Sequence, residues 1–316
     1  MEALTLYAAG QLINPQDITS EMAERWSAYI DATPQTVTTY NRAIKRFMTY
    51  LYENGIRRPE RKDIMAYRSS LYEAGLKPTT IQNYITATRL FFQWTAQEGL
   101  YPNIADRIKG AKLDHQHKKD SLTLVQANEV IDNIGTDTLQ GLRNNAIVRL
   151  MITGGLRDIE VSRANIEDFR TAGGHTVLYV QGKGHEERTQ LVIIAPETEK
   201  AIRAYLKARG KAEGKEPLFT STSNNNHGGR LTTRSISGIA KKAMQGAGYD
   251  SERLTAHSLR HTAITFAFIG NESAPSVQQF ARHTNINTTM IYSHALEERN
   301  NTCSYTIEAK LKDAHK

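Results

Sequence analysis

A single cysteine, Cys303, stands in a chain of 316 residues. No internal disulfide can form, and the expected address is a reducing cytoplasm. Nothing around Cys303 marks it as a nucleophile. No apolar run approaches the roughly 20 residues needed to span a bilayer. The N-terminal stretch carries Glu2 and no basic segment, so it does not read as a secretory signal and no membrane partner is expected. Internal repeats and low-complexity segments are also missing. Gly182-Lys183 lacks the serine or threonine and the earlier glycine of a phosphate-binding loop, which excludes ATP binding there. His257 and His261 stand four apart as in a zinc-binding helix, but Ser258 replaces the required glutamate. His115 and His117 have no partner ligands nearby. Neither a metal nor another cofactor is expected.

What is present is positive charge. Forty Lys and Arg against 33 Asp and Glu leave a net +7, and the sequence pI is about 9.3. That balance favours a polyanion such as nucleic acid, although many basic proteins bind none. With 39% hydrophobic and 23% charged residues, the chain reads as globular and is long enough for two domains with separate cores.

The first domain is expected over residues 15–106, as four helices closed by glycines. One lies around Met22 to Ile30. Thr33-Pro34 reads as an N-cap with proline at the first helical position. Val37, Tyr40, Ile44, Phe47, Met48 and Leu51 then share one face, and Gly55 ends the run. A third helix carries Ile64, Leu71 and Tyr72 to Gly75, and a fourth runs from Pro78 through Ile81, Tyr84, Ile85 and Phe92 to Gly99. Thr36, Thr39, Arg42, Lys45, Arg46, Lys77, Thr79, Thr80 and Asn83 crowd this domain with short donors beside cations, the groups that bind DNA phosphates. A merely solvated helical surface explains the stretch equally well.

Residues 107–120 are basic and without periodicity, and read as a linker. The second domain is expected over 121–316. Helices run from Leu122-Thr123 to about Ile134 and from Asn144 to Thr153. Three short strands follow at Ile166–Arg170, Thr176–Val180 and Arg188–Ile194, with turns at Gly173-Gly174 and Gly182-Lys183-Gly184. Helices resume from Glu197, interrupted by a polar loop at Ser221–Gly229. The fold class is therefore mainly α with a small antiparallel β-sheet (α+β).

Four segments carry the chemistry: Thr153 to Glu160 with Arg157; the turn bearing Lys183; His257-Ser258-Leu259-Arg260-His261; and His283, followed nine residues later by Tyr292 in Thr288-Thr289-Met290-Ile291-Tyr292-Ser293-His294. Cleaving a phosphodiester without metal gathers negative charge on the non-bridging oxygens. Two arginines, whose planar forks keep their charge, can clamp both oxygens. A tyrosine hydroxyl, with its pKa near 10, needs a base or a cationic pocket to act as nucleophile. The departing 5′ oxygen needs a general acid, which a lysine on a hairpin can be, and His257 and His283 complete the acid–base set. Taken singly, Arg157 and Lys183 fit ordinary surface positions better, and Tyr292 is one of fourteen tyrosines. Their joint order decides.

That order resembles the tyrosine recombinase (phage integrase) family. The family's T-G-x-R-like segment with an acid three residues on is matched by Thr153 to Glu160, here T-G-G-L-R. Its hairpin lysine is matched by Lys183, and its H-x-L-R-H in full by His257 to His261. Its L-G-H…T-T-x-x-Y-x-H is matched with Ala281-Arg282-His283 in place of L-G-H, a departure that puts local helix packing in question.

The resemblance covers nearly the whole chain. It implies a helical core-binding (SAM-like) domain and a catalytic domain gripping one DNA half-site as a C-shaped clamp. It implies site-specific recombination with Tyr292 as nucleophile through a 3′-phosphotyrosine, with Glu160 and His261 behind the catalytic groups and Arg234 as a further DNA contact. It implies a double-stranded recombination site of inverted-repeat half-sites, a homo-tetramer in the synaptic complex, room for accessory DNA-bending proteins, and a tail from Asn300 to Lys316 docking on a neighbouring subunit. The absence of an extra arm-binding domain ahead of residue 15 favours a simple recombinase of the chromosome-dimer-resolving, invertase or mobile-element kind. A non-catalytic DNA-binding protein, a metal-dependent nuclease and a type IB topoisomerase are the rival readings.

Overall fold

A computed structural model describes residues 17–112, 120–182, 187–299 and 301–313. The chain divides into two compact units at residues 115/116. No helix among the described residues is long and apolar enough to cross a membrane.

The first unit is built from α1 (Ser20–Tyr29), α2 (Pro34–Glu53), α3 (Arg61–Glu73) and α4 (Pro78–Gln97). Thr33 caps α2 by accepting from the Thr36 amide, with Pro34 at the first turn, as the sequence predicts. Aromatic rings fill the core. Phe47 lies edge-on to Tyr67 and Phe92, at centroid distances of 5.0 and 5.8 Å, and Trp26 meets Phe91 at 5.8 Å. In α3 the buried tyrosine is Tyr67; the expected Tyr72 is exposed. Tyr67 falls between Ile64 and Leu71 at i+3 and i+7, whereas Tyr72 sits a further 100° round the helix. The stretch expected to open the linker begins as packed chain: Ile108 and Ala111 join the first core, and Arg61 and Arg68 hold the carbonyls of Asp106 and Lys109 at 2.5 and 2.6 Å. Two apolar residues three apart suffice for one turn of contact, a signal that the surrounding charge conceals.

The second unit opens with α5 (Leu124–Asp132), capped by Thr123, and α6 (Leu139–Thr153). The sequence places the start of α6 at Asn144; it begins five residues earlier because Thr138 caps it, accepting from the Gly141 amide at 3.0 Å. Most of its last two turns is buried, from Asn145 to Ile152, so α6 is the central helix, packed between α8 (Pro196–Arg209) and α10 (Ala256–Ile269). The short α7 (Asp158–Arg163) follows.

A three-stranded antiparallel sheet comes next: β1 (Phe169–Ala172), β2 (His175–Val180) and β3 (Gln190–Ile193), in the order β1-β2-β3. Ala172 pairs with His175 across Gly173-Gly174, both at positive φ (58° and 79°), as a two-residue type I′ turn demands. The first strand starts later than expected. Residues 166–168 form a 3₁₀ turn because Asp168 accepts from the Asn165 amide at 2.8 Å and closes the chain locally. The third strand starts at Gln190, since Arg188 is drawn to Asp168 at 3.0 Å. Helices α9 (Thr233–Gly246), α11 (Ala274–Ala281), α12 (Ile286–Arg299) and α13 (Cys303–Asp313) complete the unit.

Candidate active site

The site is assembled where the end of α6 turns into α7. Gly155 has φ +58°, and a Cβ there would stand 3.0 Å from the Phe280 ring, so both conformation and packing require glycine. The turn delivers Arg157 to the N-cap of α7. Its amide donates to Glu160 Oε2 at 2.9 Å and its Nη1 to Glu160 Oε1 at 2.6 Å, leaving the side chain 23% exposed.

Arg260 rises from α10 and is buried. Its Nη1 donates to the Gly155 carbonyl and its Nη2 to the Ala281 carbonyl. Burial first, then the charges of Arg157 and Arg282, lower its pKa to about 9, still well above neutrality. His257 and His261 lie one turn apart on the same helix, edge to face at 4.5 Å. His261 in turn faces the Tyr292 ring of α12 at 5.1 Å, and His283 stacks near Tyr292 at 6.5 Å.

The electrostatics follow from burial among arginines. His283 is pushed down to about 4 by burial and then by Arg260, Arg157, Arg282 and His257, so its ring is neutral near pH 7. Its Nδ1 is paired with the hydroxyl of Thr289, 2.9 Å away and fully buried. Burial raises the hydroxyl pKa of Tyr292, and Arg260 and Arg157 pull it back only in part. The free protein therefore holds a neutral phenol beside a cationic pocket. Burial would also raise the Glu160 carboxyl, but Arg282, the Arg157 amide and the Arg157 and Arg260 charges overcome it and hold it below the usual range.

Of the residues expected from sequence, Arg157, His257, Arg260, His283, Tyr292, Glu160 and His261 thus come together in the second unit. Lys183 lies outside the described residues. Of the expected DNA contacts, Arg42, Lys45, Arg46, Lys77, Thr79, Asn83 and Arg234 are exposed, while Thr36, Thr39 and Thr80 are half-buried. The Thr39 hydroxyl is spent on the Gln35 carbonyl at 2.8 Å. The sequence reading missed two residues: Thr289, present in the quoted T-T segment without a role, and Arg282, which appeared only as a departure. Far from disturbing the packing, Arg282 ends α11 in the left-handed conformation (φ 53°, ψ 46°) and buries its side chain against Glu160. Among the described residues no group of three or more His, Cys, Asp or Glu is placed to hold a metal ion.

Fold and site define an enzyme that breaks and rejoins DNA. Residues 120–299 match the model of the phage integrase family, and residues 24–99 match the N-terminal SAM-like domain of phage integrases. The first match alone spans more than half of the chain, which therefore belongs to the phage integrase family, the site-specific tyrosine recombinases. A tyrosine recombinase of Synechocystis sp. is 28% identical over 230 residues, covering 72% of each chain. XerC of Pelobacter propionicus is 28% identical over 272 residues, 84% of this chain and 87% of the relative. Among solved structures, XerH bound to palindromic difH substrate in a post-cleavage complex aligns with TM-score 0.70 and 21% identity over 85% of this chain and 80% of that one. A lambda integrase (75–356) dimer bound to a COC′ core site aligns with TM-score 0.68 and 15% identity over 85% and 96%. At these identities the two solved structures speak for the fold.

Proposed function

We propose that Tyr292 is the nucleophile that cleaves one strand of a double-stranded recombination site built from inverted-repeat half-sites. A bond forms between its Oη and phosphorus, and the bond from phosphorus to the 5′ oxygen breaks. The products are a 3′-phosphotyrosine and a free 5′-hydroxyl, which then attacks the partner strand's linkage. Arg157 and Arg260 hold the non-bridging oxygens. Lys183 gives its proton to the departing oxygen, while His257 and the neutral His283 bind phosphate and take up the tyrosine's proton. The bond energy is kept in the phosphotyrosine, so the step needs neither ATP nor metal. The observation carrying this reading is the Tyr292 ring, buried between His261 and His283 within reach of the Arg157 and Arg260 charges.

The test is a suicide substrate nicked beside the cut, with half-sites taken from the DNA flanking the gene. The protein becomes covalently attached to a 3′ end, equally in EDTA. No adduct, or one lost in EDTA, overturns the reading.

The working assembly is a homo-tetramer on DNA, acting in the cytoplasm on a mobile element or a chromosome. Its tail supports this. Helix α13 buries none of its residues, and Ile307 and Leu311, four apart on one face, are each 60% exposed. The same unit carries an apolar hollow of about 430 Å³ lined by Ile152, Phe266, Val277 and Phe280, a fitting seat for a neighbour's α13. Deleting residues 300–316 should leave cleavage intact and abolish synaptic tetramers in gel-shift and light-scattering assays. Tetramers that survive the deletion count against tail exchange.

A further inference from the structure

The segment Ala281-Arg282-His283 places arginine where the family pattern has glycine. The backbone there is left-handed, which glycine adopts freely and arginine does not. The guanidinium is nonetheless buried, with the side chain 4% exposed. Its Nη2 donates to Glu160 Oε2 at 2.9 Å and to the Gly155 carbonyl at 2.8 Å, and its Nη1 to the Phe280 carbonyl at 2.7 Å. Its Nε meets no acceptor among the described residues.

A buried ion pair with an unsatisfied donor, on a strained backbone, is a poor device for stability alone. Its partners suggest another use. Glu160 also holds Arg157, and the Gly155 carbonyl also holds Arg260. The Arg282 carbonyl itself faces Arg157 Nη2 at 3.4 Å.

We infer that Arg282 is a positioning residue for strand cleavage, bracing at once the carboxylate that fixes Arg157 and the carbonyl that fixes Arg260. It rests on the proposed roles of those two arginines. Arg282 does not itself reach DNA, because its side chain is enclosed and its Nη donors face inward. Its charge adds a third cation around the one carboxylate, which keeps that carboxylate ionised and able to hold Arg157.

The experiment compares wild type, Arg282→Gly and Arg282→Lys in single-turnover adduct formation on the nicked substrate across pH, with thermal melts and DNA affinity alongside. Glycine suits the backbone, so Arg282→Gly folds. We expect it to bind DNA like wild type and to cleave about 10- to 100-fold more slowly, the scale of loss that a misplaced catalytic group causes. Its acid limb moves to higher pH. Without the cation that most lowers the Glu160 carboxyl, that group protonates sooner and releases Arg157. Arg282→Lys keeps the charge, so its acid limb stays near that of wild type and part of the rate returns. Arg282→Gly cleaving at the wild-type rate with an unmoved acid limb overturns the inference. So does a variant that is slow and melts lower while its acid limb stays in place, since that is a packing defect only. Either result leaves the catalytic reading standing as long as wild type forms the adduct and Tyr292→Phe does not.

Discussion

Tyr292→Phe binds the recombination site and forms no covalent adduct, a loss to the detection limit of the trapping assay. The substitution removes one oxygen from a ring that is 6% exposed and leaves a group of nearly the same volume, so the packing on His261 and His283 survives. What it removes is the hydroxyl proposed to form the bond to phosphorus. The neighbours in reach are imidazoles and guanidiniums, and the buried Thr289 hydroxyl is occupied by His283. The check is a denaturing gel of the nicked substrate, with binding measured separately by gel shift. A Phe variant that traps DNA as wild type does sinks the nucleophile assignment. One that fails to bind points to a folding fault, which thermal melting identifies.

Glu160→Ala carries the largest expected cost in stability. Glu160 is fully buried and receives Arg157 at 2.6 Å and Arg282 at 2.9 Å, with the Arg260 charge also acting on it. Removing it leaves three crowded cations without a counter-charge, where breaking a single buried pair already costs about 3–5 kcal/mol. Denaturant melts of the second unit measure this, and a loss under about 1 kcal/mol would contradict the arrangement. Activity falls with it, because Arg157 loses the carboxylate that aims its fork. Glu160→Gln gives the pH signature. The folded carboxyl titrates below its unfolded value, so its stabilising effect is complete above the unfolded pKa and disappears as pH falls through the folded one. The gap in melting temperature between wild type and Glu160→Gln is therefore wide near pH 7 and narrows below about pH 4.

Much of the molecule was legible from residues close together in the chain. Thr33-Pro34 announced α2, and Gly173-Gly174 announced the β1-β2 turn, because a cap or a turn is satisfied within three or four residues. Boundaries failed where a local polar bond displaced the pattern. Asp168 turned the expected start of β1 into a 3₁₀ turn, and Thr138 began α6 five residues early.

The order Arg157, Lys183, His257, Arg260, His283, Tyr292 was readable from the sequence because it follows the order of the phage integrase family's motifs, and the proposed reaction calls for those charges and protons. Sequence by itself determined the family and the candidate residues, together with the helical periodicity and the caps. How those groups are held was a matter for tertiary structure alone. Arg260 reaches back 105 residues to the Gly155 carbonyl, and Arg282 reaches 122 residues to Glu160. Sequence spacing encodes no such contact. The packing of α10 and α11 against the turn after α6 closes these distances, and only then does burial set the charge state of each group. Arg282 shows the difference most clearly: in the sequence it was an exception to a motif, and in the fold it is the brace between two arginines.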